Sequence, residues 1–106
     1  MLFRSGVTKI YNSSFEECKY IETVTMASTV ENVADHAFRR CSNLSTVTLS
    51  KSLKRLGVGS FYECTALKTV NYPGTEENWK NEDEMDLSNT WDRGTGKYTI
   101  NYEYKG

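Results

Sequence analysis

Three cysteines and a single histidine are the most reactive side chains of this 106-residue chain, and their spacing limits the chemistry open to them. Cys18, Cys41 and Cys64 stand 23 residues apart. A zinc site would want thiolates grouped as Cys-x-x-Cys, which this chain lacks, and an odd count leaves one thiol outside any disulfide set. His36 follows Asp35, two members of a hydrolytic triad, but nothing in the sequence brings a serine to them, so His36 reads as an exposed loop residue. Glycoside cleavage would need two carboxylates opposed across a cleft. Glu16, Glu17 and Glu22 lie together without repeat-matched partners and read as solvated surface. No catalytic, cofactor-binding or metal residue is assigned, and the chain is expected not to be an enzyme.

The elements that must position these residues come from one period. The 23-residue step of the cysteines also relates Phe15, Phe38 and Phe61; Ile21, Leu44 and Leu67; Val24, Val47 and Val70; and Met26, Leu49 and Tyr72. It relates Val7, Val30 and Leu53, and Ile10, Val33 and Leu56 as well, so seven apolar columns keep one register. Within a copy, Leu44-x-x-Val47-x-Leu49 alternates as a short strand, with Val47 and Leu49 on one face and Thr46 and Thr48 on the other. The i, i+3 spacing of Phe38 and Cys41 puts both on one side of a short helix or 3₁₀ turn. One such unit cannot bury its apolar edge, so copies must stack with strands ~4.8 Å apart. Stacking sets the three thiols side by side with parallel Cβ vectors, where a disulfide needs converging ones, and they are expected to pack as small buried apolar groups.

The run Ala37-Phe38-Arg39-Arg40-Cys41 before Ser42-Asn43-Leu44, echoed by Ser14-Phe15 and Ser60-Phe61, resembles the BspA-like subclass of leucine-rich repeats. The resemblance implies an α/β solenoid of about three 23-residue repeats, each a strand plus a helical turn, at 7–29, 30–52 and 53–75 of a single domain. Tyr72-Pro73-Gly74-Thr75-Glu76-Glu77-Asn78-Trp79 looks like the closing segment of that family, which makes 76–106 a C-terminal cap. In it, Thr99 to Tyr104 alternates as a last strand over the third repeat, and the acidic run 81–86 reads as a solvated loop or short helix. By the same resemblance the chain is a non-catalytic module binding proteins or glycans, at a cell surface or secreted. The alternative is a structural or assembly unit.

Repetition also turns single polar residues into columns. Thr23, Thr46 and Thr69 form one, and Thr25, Thr48 and Asn71 form its neighbour, on the strand face away from the core. These six residues are the candidate ligand face, since hydroxyls exchange hydrogen bonds with polar ligands, although threonine also suits strands through its shape alone. Thr29, Ser52 and Thr75 recur at turns, where a hydroxyl satisfies backbone groups.

Thirteen basic against 14 acidic residues leave a net charge of -1, without the basic excess that nucleic acid demands. Residues 1–73 carry nine basic and six acidic groups, +3, and residues 74–106 carry four and eight, -4. Apolar runs are too short to cross a bilayer, and Met1 to Gly6 lack a signal-peptide pattern. With no polar cap before Val7, the strand Ile21 to Met26 is expected to expose an unpaired edge and to support a homodimer through the N-terminal repeat.

Overall fold

The computed structural model describes residues 1–106. The chain runs β1 (Lys9–Ile10), β2 (Thr23–Thr25), β3 (Asn32–Val33), β4 (Thr46–Thr48), β5 (Arg55–Leu56), β6 (Thr69–Asn71), α1 (Glu76–Trp79), β7 (Asp86–Leu87) and β8 (Thr99–Asn101). These strands form two parallel sheets, in the orders β1-β3-β5-β7 and β2-β4-β6-β8. The expected strands of the Leu-x-x-Val-x-Leu segments are β2, β4 and β6, paired at the 23-residue step as Thr23↔Thr46↔Thr69. The β1-β3-β5-β7 sheet is an addition to the strand-plus-helical-turn scheme. It arises where Ile10, Val33 and Leu56 stack as buried equivalents.

Of the short helix or 3₁₀ turn expected, the Phe-x-x-Cys segments form i, i+3 turns, for a reason visible in their backbone. In the middle copy the N–H groups of Ala37, Arg39 and Cys41 close i, i+3 turns onto Ala34, His36 and Phe38. Those of His36, Phe38 and Arg40 instead donate to the carbonyls of Val58, Ser60 and Tyr62 in the next copy, at 2.9, 2.7 and 2.7 Å. A helix would turn every N–H inward and forfeit these links. The chain achieves the alternation with left-handed residues in two columns, Ser13, His36 and Gly59, and Glu17, Arg40 and Glu63, at φ of 55 to 59°. At Gly59 the fit is also steric, since a Cβ there would lie 2.9 Å from the His36 ring.

The core is the set of columns. Phe38 is fully enclosed, stacked between Phe15 at 5.3 Å and Phe61 at 5.1 Å. Cys41 and Cys64 are buried, and their thiols donate to the carbonyls of Phe15 and Phe38 at 3.1 Å. The hydrogen bond with Cys41, then burial, pushes the Cys64 thiol well above its ordinary range. Phe15 and Cys18 depart from the expected full burial and are only partly covered, because the first copy has no complete layer beneath it.

Both ends correct the sequence reading. At the start, Met1–Phe3 lies beside β2: Leu2 bridges Thr25, the Thr25 N–H donates to the Met1 carbonyl at 2.8 Å, and Phe3 N–H donates to Thr25 at 2.9 Å. The edge of Ile21–Met26 is therefore occupied, contrary to the basis of the expected dimer. Phe3 takes the position of Met26, Leu49 and Tyr72 one period earlier, and its ring meets Phe15 edge-on at 5.5 Å. At the other end, residues 76–106 form a fourth turn of the solenoid. β8 pairs with β6 as expected, but the acidic run also supplies β7, which pairs with β5. The steps here are 31 residues from Arg55 to Asp86 and 30 from Thr69 to Thr99, and α1 with the turn after it takes up the surplus. Thr75 caps α1 by accepting from Asn78 N–H, and Trp79 and Trp91 close the aromatic core over Tyr72 and Phe61.

Phe38→Ala should cost about 3 to 5 kcal/mol as truncation of an enclosed aromatic, and Phe15→Ala less, as read from denaturant unfolding. In native thiol labelling, Cys18 should react first while Cys41 and Cys64 stay protected until the chain unfolds, all three being reduced.

Candidate functional site

The six sequence-selected residues all lie on the outward face of the β2-β4-β6-β8 sheet, and the register brings each column together as expected. β8 extends both, adding Thr99 to Thr23, Thr46 and Thr69, and Asn101 to Thr25, Thr48 and Asn71. Sequence reasoning missed these two residues because the step to them is 30 rather than 23. The signal that could have found them is local: Thr99-Ile100-Asn101 repeats the pattern of Thr69-Val70-Asn71.

The two columns differ in what their polar atoms do. In the second, Asn101 donates through Nδ2 to Asn71 Oδ1 at 2.9 Å, and Asn71 passes a hydrogen bond from Nδ2 to Thr48 Oγ1 at 3.1 Å. Asn71 is only 5% exposed and bonded on both sides, so it braces the sheet and is not presented to a ligand. In the first column, the hydroxyls of Thr23, Thr46, Thr69 and Thr99 have no hydrogen-bond partner within the protein; Thr23 and Thr99 are exposed residues and the middle pair half-buried. They stand about one strand spacing apart, ~4.8 Å. At the far side of the second column, Thr48 borders a cleft of about 260 Å³ lined also by Met26, Ser28, Ser50, Lys51 and Tyr104. The arrangement suits a row of polar groups laid across the strands: hydroxyls as donors and acceptors on one side, Lys51 beside a shallow hollow on the other.

The remaining candidates are committed to the fold. His36 is exposed on its left-handed turn. Asp35 turns its carboxylate to the Val58 N–H at 2.9 Å and to Arg55 at 3.0 Å, and that N–H above all, then the guanidinium, holds it below the usual carboxylate range. An added Cβ at Gly57 would fall 2.4 Å from that carboxylate. Glu16, expected to lack a repeat-matched partner, pairs with Arg39 one period on, and Arg39 in turn covers the Tyr62 ring at 5.7 Å. The same step joins Arg40 to Glu63 at 2.8 Å and Glu31 to Lys54 at 3.3 Å. Glu17 and Glu22 are exposed, as expected. Thr29 satisfies backbone groups on both sides, accepting from Gly6 N–H and donating to the Val7 carbonyl.

The family model described as "BspA type Leucine rich repeat region (6 copies)" matches residues 1–83. Among solved structures, the crystal structure of the T. pallidum leucine rich repeat protein is 14% identical, with 95% of this chain and 72% of that chain covered and a TM-score of 0.34. No curated protein matches the chain.

If the second column is structural, Asn71→Ala should lose about 1 to 3 kcal/mol, since it strands Asn101 and removes a buried link, while Thr23→Ala should stay within about 0.5 kcal/mol. Thermal or urea unfolding of the two variants reads the contrast.

Proposed function

The chain belongs to the BspA-type leucine-rich repeat family, and from that premise we propose that it is a non-catalytic interaction module that binds a polar protein surface or a glycan across its β2-β4-β6-β8 sheet. The observation that carries this reading is the column of four threonine hydroxyls without partners in the protein, beside a column whose amides are bonded. The strand-lined face of a solenoid is the surface on which repeats multiply one side chain into a row, which favours an extended ligand over a small one. Of the six residues named from sequence, Thr23, Thr46 and Thr69 would touch the ligand. Thr25 and Thr48 flank the contact, and Asn71 supports it from beneath.

The family's association with bacterial surface proteins supports a place at the cell surface or outside the cell. No helix is long and apolar enough to cross a membrane. A nucleic-acid partner does not suit a chain of net charge -1 whose presented row is made of neutral hydroxyls.

A glycan and protein array probed with the wild-type chain and with a Thr46→Lys, Thr69→Lys double variant tests the reading. Binding by the wild type that the folded double variant loses at least tenfold is the expected result. Equal binding by both would move the site off this face.

A further inference from the structure

Taking the β2-β4-β6-β8 sheet as the binding face, the reading on which this rests, we propose that its ligand is a linear β-1,4-linked glycan of the glucan or N-acetylglucosamine kind, lying along the threonine row with one sugar on each layer of the stack. Spacing leads to this. In-register parallel pairing sets Thr23, Thr46, Thr69 and Thr99 on consecutive layers, ~4.8 Å apart, and the longer sequence step into β8 leaves no gap in the row. An extended peptide advances ~3.3 Å per residue and returns to the same side after ~6.6 Å, and neither interval stays in step with the layers. A β-1,4-linked chain, kept straight by equatorial linkages at both ends of each ring, advances by close to one layer per sugar. An α-1,4-linked chain coils away from a straight row after its first contacts.

The chemistry of the row agrees with its spacing. A threonine hydroxyl offers one donor and two acceptor lone pairs, as does a sugar hydroxyl, so a row of one meets an edge of the other without charge on either side. Both columns of the face hold only threonine and asparagine, with no ionised group to be stranded against a neutral ligand. They also lack the tryptophan, tyrosine and arginine anchors in which protein interfaces concentrate their energy. Because no hydroxyl of the row is bonded within the protein, a sugar would displace water there and break no internal link. Alongside, the hydrogen bonds from Asn101 to Asn71 and from Asn71 to Thr48 tie together the strands that carry Thr46, Thr69 and Thr99, so the spacing of the hydroxyls is set before a ligand arrives.

Titration of the full 106-residue chain with cello-oligosaccharides and with chito-oligosaccharides of two to six sugars, followed by calorimetry or chemical-shift changes, tests this. In at least one series affinity should rise about threefold with each sugar up to four, as one added neutral hydrogen bond would give, and then level off, since the row has four positions. Which series binds tells whether acetamido groups are read. Malto-oligosaccharides of the same lengths, being α-linked, should show no such rise. Thr99→Val keeps the β-branched shape and removes one hydroxyl, so the tetrasaccharide should fall to the affinity of the trisaccharide. Thr23→Val does the same from the other end and replaces Thr99→Val if circular dichroism finds that variant unfolded. Failure of both β-linked series, affinity independent of length, an equal rise with malto-oligosaccharides, or full affinity in the folded valine variant overturns the glycan assignment. If the array then yields a ligand that the Thr46→Lys, Thr69→Lys variant loses, the binding face stands and the glycan assignment alone falls. Binding of the β-linked series that this double variant retains overturns both.

Discussion

The hydrogen bonds that pass from copy to copy are what the rest of this molecule depends on. Strands of two or three residues have no stability of their own, and here each exists because its equivalents lie alongside in register. The same holds for the turns, where His36, Phe38 and Arg40 reach forward while the N–H groups between them close i, i+3 turns. Once the backbone is locked at this step, side chains have no choice of neighbour: each meets its own counterpart. Hence Phe38 lies between two phenylalanines, Cys41 beside Cys64, and an arginine or lysine beside a glutamate wherever the sequence alternates charge down a column.

Aromatic geometry records where that constraint begins and ends. Inside the stack, Phe15, Phe38 and Phe61 lie almost parallel, at interplanar angles of 10° and 8°, because repetition of one rotamer permits nothing else. At either end, where the period no longer dictates the neighbour, the contact turns edge to face: 79° for Phe3 on Phe15 and 87° for Phe61 against Trp91. The quadrupoles of the rings favour that arrangement over face-to-face stacking. Larger residues and a helical insertion let the fourth turn cover the third without copying it.

Polar columns follow the same rule with different consequences. Stacked asparagines satisfy one another because each amide carries both donor and acceptor, so Asn101, Asn71 and Thr48 make a chain that tolerates burial. The threonine hydroxyls next to them remain unpaired in the protein and need solvent or a partner. One face thus contains a row braced at Thr48, Asn71 and Asn101 and a row whose hydroxyls have no partner in the protein.

Much of the fold was legible from the 23-residue step, because parallel in-register stacking makes sequence separation equal to one layer. The apolar columns, the strands β2, β4 and β6, the inward Phe and Cys, and the two polar columns all follow from it. Three matters were decided only in the tertiary structure. The i, i+3 spacing of Phe38 and Cys41 fits a helix as well as a turn, and the choice rests on N–H groups reaching the next copy, which no single repeat reveals. The insertion after Thr75 lengthens the step to 30 or 31 residues, so the equivalence of Asp86, Thr99 and Asn101 to the earlier columns appears only when the chain has closed its fourth turn. The role of Asn71 depended on the amide that β8 sets against it: sequence placed it on the outward face, and packing took it out of reach, because a polar group with partners on both sides loses nothing by burial.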